Sequence, residues 1–278
     1  SVPTGASQQS TGARRPWPFL PSPGCFPVSP TFDSLGPITA SMEDLAFVYC
    51  SLTGQEQVVA AAPGTVKGGS LSGLRFGRPA CGASVYVDDC DETVKASFAA
   101  TVAALEHGGA EIVDVVLPGS ECGTDAEHKE VWNRVACPEL VAGLSPELLL
   151  SSQGMIEPGV FERASQGGLK VKAWEYLQAK GKLRQWRDEA LHGLMEGQHL
   201  DAIILPTVSM TAPLLPGSVV GTASESTEQV GPGVAGLGVN TKVANVLGMC
   251  AVTLPSCPVA AANPANAGLR CLPVGLDV

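Results

Sequence analysis

Aromatic side chains make up only 5% of the 278 residues, and charged ones only 16%. The scarcer sign is positive: 17 Lys and Arg stand against 27 Asp and Glu, a net charge of −10. Phosphate neutralisation needs clustered cations, so nucleic acid is set aside as a partner. No run of about 18 apolar residues occurs, which excludes a membrane-spanning helix. The nine cysteines form no C-x-x-C pair and their number is odd, a pattern of reduced thiols in a reducing compartment. Only four histidines occur, without metal spacing, and Cys122 and Cys137 flank His128 too loosely for zinc. The acidic group Asp88, Asp89, Asp91 and Glu92 is no calcium loop, because Ala99 takes the place of the twelfth-position carboxylate. Neither a metal nor a cofactor is expected.

What is present is 45% hydrophobic residues, enough for one sizeable core. Residues 1–24 are rich in Pro and Ser and read as an irregular lead-in that adds little core. The chain opens on Ser1, and its natural start is expected further upstream, with room for a targeting peptide. From residue 25 onward the pattern is that of one folded unit. Ser41, followed by Glu43 and Asp44, marks a helix start, with Leu45, Val48, Tyr49 and Leu52 as its stripe and Gly54 as its stop. Leu74-Arg75-Phe76-Gly77 reads as a strand. Asp91 then caps a helix facing inward through Val94, Phe98, Val102 and Leu105, closed by Gly108 and Gly109, and Glu111 to Leu117 reads as a buried strand. Strand, helix and strand at this length predict a parallel pair with a right-handed crossover, which makes the fold class α/β.

The stretch from Glu127 to Gly197 is predicted helical. Its strongest piece is expected to lay Trp174, Leu177, Leu183, Trp186, Ala190 and Leu194 on the core. Asp201 to Leu205 reads as another buried strand, ended by Pro206; a helix from Thr241 to Leu247 and strands at Cys250 to Leu254 and Leu272 to Leu276 complete the chain.

One motif imitates a nucleophile site. Gly68-Gly69-Ser70-Leu71-Ser72-Gly73, with Lys67 beside it, offers a serine, backbone donors and a base. A nucleophile elbow follows a strand and opens a helix, whereas this segment follows Ala61-Ala62-Pro63-Gly64 and precedes a strand. It is read as a linker.

Five segments, in order, resemble the amidase-signature family. The stretch from Phe26 through Asp33, Gly36-Pro37 and Asp44 to Ala46 is similar to P-x-S-x-S/T-x-D-x-x-G-P-x-A-R-S/T-V-x-D. Leu74 to Pro79 resembles L-R-I-G-V-P, and Asp201 to Thr207 resembles D-x-L-x-x-P-T. Thr241 to Gly248 resembles x-P-x-N-x-x-G, and Leu272 to Leu276 resembles L-P-V-G-x-Q. Ala40 departs from the pattern, standing where the family usually has arginine.

The resemblance implies a mixed central sheet flanked by helices and hydrolysis of a small-molecule carboxamide. It also implies a nucleophilic serine, a second serine held through a cis peptide and a lysine, all upstream of Phe26. Nothing before Phe26 matches that serine-rich signature beyond a poor likeness at Ser10 to Arg14, and no lysine precedes Lys67. The expectation is therefore an N-terminally truncated amidase domain over residues 25–278 with no catalytic residue of its own, inactive alone and marginal as a folded unit. Its strands at Glu111–Leu117 and Ile203–Leu205 are expected to be partly uncovered. Asp33, Pro206, Thr207 and Asn245 are carried over as walls of the substrate cleft, at strand ends where open α/β sheets gather ligands. Turn-forming and capping roles are the competing account of the same four. A non-catalytic amidase-fold binding protein and a glutamine-hydrolysing amidotransferase-type subunit stay open beside the hydrolase. Oligomeric state is not legible.

Overall fold

The computed structural model describes residues 4–7, 24–53, 70–80, 85–120, 123–210, 238–255 and 275–277. Gly54, Lys67, the Ser10 to Arg14 segment, residues 211–237 and the Leu272 to Val274 part of the last expected strand lie outside these residues. Two hydrogen-bonded ladders organise the chain. The first is parallel: β3 (Arg75–Pro79) pairs with β4 (Glu111–Val115) on one side and β5 (Ala202–Ile203) on the other, giving the order β4-β3-β5. The helix α2 (Glu92–His107) connects β3 to β4 and buries Val94, Phe98 and Val102, so the parallel βαβ unit forms as its pattern predicts.

The second ladder is antiparallel, in the order β2-β1-β7-β8-β6. It joins β1 (Thr4–Ser7), β2 (Ile38–Thr39), β6 (Leu205–Pro206), β7 (Ala251–Pro255) and β8 (Gly275–Asp277). Residues 1–24 are thus not irregular throughout. β1 sits between β2 and β7, and its backbone amides find partners on both flanks, which is how a segment with little apolar content still enters a sheet.

Residues 202–206 link the two ladders. Ala202 and Ile203 pair with β3, the Ile204 N–H donates to the Gly77 carbonyl at 2.9 Å, and Leu205 and Pro206 then pair with β8. This segment is buried from Ile203 to Pro206: Ile203, Ile204 and Leu205 are 6%, 1% and 6% exposed. The expectation that it would be uncovered is wrong, because it belongs to both ladders and has layers packed on each face. β4 is instead the edge of the parallel ladder. Glu111 and Asp114 point to solvent, their charges met by Arg75 and Arg78, and only Val115 is buried. An edge strand carrying charge is the usual protection against unwanted pairing.

Helices cover the core. α1 (Met42–Thr53) starts as expected, with the Asp44 N–H donating to Ser41 Oγ at 3.1 Å. α2 starts differently: Asp91 stands at its cap position without a side-chain cap bond. The long α3 (Ala126–Leu144) is followed by α4 (Pro146–Ser151), α5 (Pro158–Glu162), a π-helical turn at Arg163–Gly167 and a 3₁₀ turn at Gly168–Lys170. A side chain at Gly168 would collide with the Cys137 carbonyl, so this glycine sets how closely the turn lies on α3.

Next comes α6 (Ala173–Asp188), continued by π-helical turns through Glu196. Its inward stripe is Ala179, Leu183, Trp186, Ala190 and Leu194. Trp174 and Leu177 are 54% and 65% exposed, contrary to expectation. Leu177 precedes Leu183 by six residues, a third of a turn off the buried stripe at 100° per residue. The short α7 (Gly238–Leu247) returns to this core through Val243, Val246 and Leu247.

Candidate functional site

The four cleft residues come from two neighbourhoods. Asp33 closes a turn: its Oδ2 accepts the N–H groups of Val28 and Ser29 at 2.9 and 3.0 Å. The carboxylate thus ties the start of this turn to its end across four and five residues. Pro206 is buried at the end of β6, with Thr207 half-buried after it. The Pro206 carbonyl accepts from Asn240 Nδ2 at 2.6 Å, and the same amide nitrogen donates to the Tyr86 carbonyl at 2.9 Å. Asn240 is 2% exposed and lies on α7, five residues before Asn245. It pins the helix carrying Asn245 to the strand carrying Pro206. Sequence reasoning passed over Asn240, although a lone Asn among the inward positions Val243 and Val246 is a signal that a polar partner waits in the core.

Arg187 of α6 bridges the neighbourhoods. Its guanidinium donates to the carbonyls of Asn245 and Val246 at 3.1 and 3.2 Å and lies 6.0 Å over the Phe32 ring. Burial disfavours its charge and lowers its pKa, while the Glu139 carboxylate acts in the opposite direction. The positive group satisfies the last carbonyls of α7, where a cation suits the helix dipole. It also joins α7 to the residue beside Asp33.

The segment Val28 to Asp33 is held by Glu139 of α3. One carboxylate oxygen accepts the Ser29 hydroxyl at 2.5 Å and the Thr31 N–H at 3.0 Å; the other accepts Thr31 Oγ1 at 2.5 Å and Tyr176 OH at 2.8 Å. Lys180 donates to Thr31 Oγ1 at 2.5 Å and stands 3.7 Å from the carboxylate. Burial works to raise the Glu139 pKa, but the hydrogen bonds from Ser29, Thr31 and Tyr176 outweigh it and hold the group below the ordinary glutamate value. The reciprocal effect, with burial as the larger cause, pushes Tyr176 up to about 12.

Behind these groups, His128 is 1% exposed. Its Nε2–H donates to the Pro118 carbonyl at 2.6 Å, and its Nδ1 is hydrogen-bonded with Tyr86 OH at 3.0 Å. Both ring nitrogens are thus engaged within the core, and His128 acts as a core tie. Gly119 permits this approach: its φ is +77°, and any side chain would strike the Trp186 ring. Among the described residues no group of three His, Cys, Asp or Glu is placed to hold a metal. No described helix is long and apolar enough to cross a membrane.

Ser70 and Ser72 lie in the approach to β3, both exposed, with Ser70 Oγ donating to Ser72 Oγ at 2.7 Å. Ser70 Oγ also accepts the Ser72 N–H at 3.2 Å, and among the described residues no basic group is hydrogen-bonded to either hydroxyl. A fluorophosphonate should therefore leave both unlabelled in the isolated chain, as read by peptide mapping; an adduct on either would make this segment a nucleophile site.

The amidase family model matches residues 10–278. The chain is 29% identical over 237 residues to 2-amino-5-chloromuconic acid deaminase of Comamonas testosteroni, covering 84% of this chain and 46% of the relative. It is 27% identical over 204 residues to an amidase of Pseudomonas putida, covering 68% of this chain and 39% of the relative. The chain thus spans less than half the length of these curated relatives. A crystal structure of an amidase superposes with a TM-score of 0.68 at 21% identity, over 99% of this chain and 54% of that one. That likeness carries the fold, and the family match carries the membership: this chain belongs to the amidase family.

Proposed function

We propose that this chain is the C-terminal portion of an amide hydrolase that cleaves a carboxamide C–N bond of a small molecule, and that it works with a serine- and lysine-bearing segment it does not itself contain. The observation that supports this best is the family match across residues 10–278, set beside a sequence with no counterpart to the serine-rich signature before Phe26. An amide carbonyl is a poor electrophile, so hydrolysis needs an activated nucleophile and oxyanion donors. On this reading the present chain supplies the scaffold and part of the cleft.

Asp33, Pro206, Thr207 and Asn245 are proposed as the cleft wall, with Asn240, Arg187 and Glu139 as the positioning residues behind it. Three of the described cysteines, Cys50, Cys90 and Cys137, are buried, in keeping with small apolar thiols of a reducing compartment. In a chimera carrying the upstream half of the Comamonas testosteroni relative, Thr207→Val and Asn245→Ala should each lower kcat/KM toward a simple carboxamide about tenfold. Melting temperatures should change little. Unchanged kcat/KM with a lowered melting temperature would return both residues to a purely structural role.

A further inference from the structure

A cavity of about 370 Å³ opens between α3, α5 and the segment before Asp33. That size falls in the range of small-molecule sites. Its walls include Phe26 and Val28 on one side and Trp132, Leu140 and Val160 on the other. Arg163 is the one charged residue on its lining. The frame is firm. Trp132 stacks on Phe32 with ring centroids 6.0 Å apart, and the Glu139 network ties the Ser29–Thr31 backbone to α3 beside the pocket.

Arg163 acts on the Glu157 carboxylate only at a distance. Among the described residues its guanidinium forms no hydrogen bond or ion pair, whereas Arg134 on the neighbouring helix is paired with Glu130 at 2.8 Å and Lys170 with the Gln166 amide. The Glu157 carboxylate, at the start of the same helix, is engaged by the N–H groups of Gly159 and Val160 at 3.0 and 2.8 Å. Cys137, on the pocket wall, has its thiol pKa raised by burial, so it stays neutral and does not repel an anion. Arg163 itself is exposed, at the solvent edge of an otherwise apolar space.

We propose that this cavity binds an apolar monocarboxylate, its hydrocarbon or aromatic body against Trp132 and Leu140 and its carboxylate on Arg163. The site goes beyond hydrolysis and needs no catalytic serine. A guanidinium and a carboxylate form the stronger, charge-assisted kind of hydrogen bond, while the apolar body gains from leaving water. A neutral ligand of the same shape keeps only the second contribution.

The 278-residue chain should bind 4-phenylbutyrate saturably, one per chain by calorimetry, and at least tenfold more tightly than 4-phenylbutanol. Arg163→Gln, a change at an exposed position, should bring the two ligands within about twofold of each other. Leu140→Trp, which fills the cavity, should abolish binding of both; if that variant does not fold, Arg163→Gln decides alone. Equal affinity for acid and alcohol, an acid preference that survives Arg163→Gln, or no saturable binding by the folded chain would overturn the proposal. So would binding that vanishes when the upstream half of the Comamonas testosteroni relative is joined on, since polypeptide and not a small molecule would then fill the space.

Discussion

Hydrolysis of a simple carboxamide should be at the buffer rate with the 278-residue chain alone and should become measurable when an upstream amidase half is joined to it. The reason is chemical. Removing nucleophile and base together eliminates the covalent route, and serine hydrolases that lose such a unit retain on the order of a millionth of their rate. On the proposed reading the chain carries the five segments that resemble the family, and the serine signature lies in a segment upstream of them.

A second effect should accompany the first. Ile38 of β2 and Phe47 and Leu52 of α1 are 72%, 58% and 56% exposed, and large apolar side chains left to water add to the tendency to associate. The joined protein should therefore be more soluble than the chain alone, by light scattering at matched concentration. Ile203 to Leu205 contribute nothing to that difference, because they are already buried. Amide hydrolysis by the isolated chain, above buffer and lost on heating, would show that the nucleophile lies within these 278 residues.

Glu139→Ala should be the most destabilising single substitution at the site. The Glu139 side chain is 11% exposed and receives four hydrogen bonds, with Lys180 beside it. Removing it leaves Ser29, Thr31 and Tyr176 without their acceptor and Lys180 without its counter-charge. Breaking one side of a buried charged group costs about 3–5 kcal/mol. In a chain of this size that corresponds to a fall of roughly 10 °C in melting temperature. Glu139→Gln keeps an acceptor and should lose about half as much.

The pH dependence has a definite sign. A carboxyl group whose folded pKa is lowered contributes stability that is whole above its ordinary value of 4.5 and is lost as the pH falls through the lower folded value. Wild-type stability should thus drop on acidification below about pH 4.5, and the Glu139→Ala protein should drop less over the same window. Parallel acid profiles for the two proteins would separate the carboxylate from the stability of the Val28–Asp33 segment.

The sequence by itself determined the local elements and the family. Alternation of apolar and polar residues, together with Ser41, Gly108 and Gly109, located α1, α2, β3 and β4, since caps and periodicity act within a few residues. The order of short motifs identified the amidase family because such motifs keep their spacing along a chain.

Tertiary structure decided the rest, and each case has a physical cause. Thr4–Ser7 became a strand because β2 and β7 supply its hydrogen-bond partners, although its own residues carry no strand pattern. Residues 202–206 were legible as a buried strand, but not as one that leaves a parallel ladder and enters an antiparallel one at Ile204. Trp174 and Leu177 turned outward because the buried stripe is set by what α3 and α7 offer opposite it. Glu139, Asn240 and Arg187 were invisible as site residues for the same reason. Their partners lie 108, 34 and 58 residues away, and a hydrogen bond across that separation leaves no mark on either local segment.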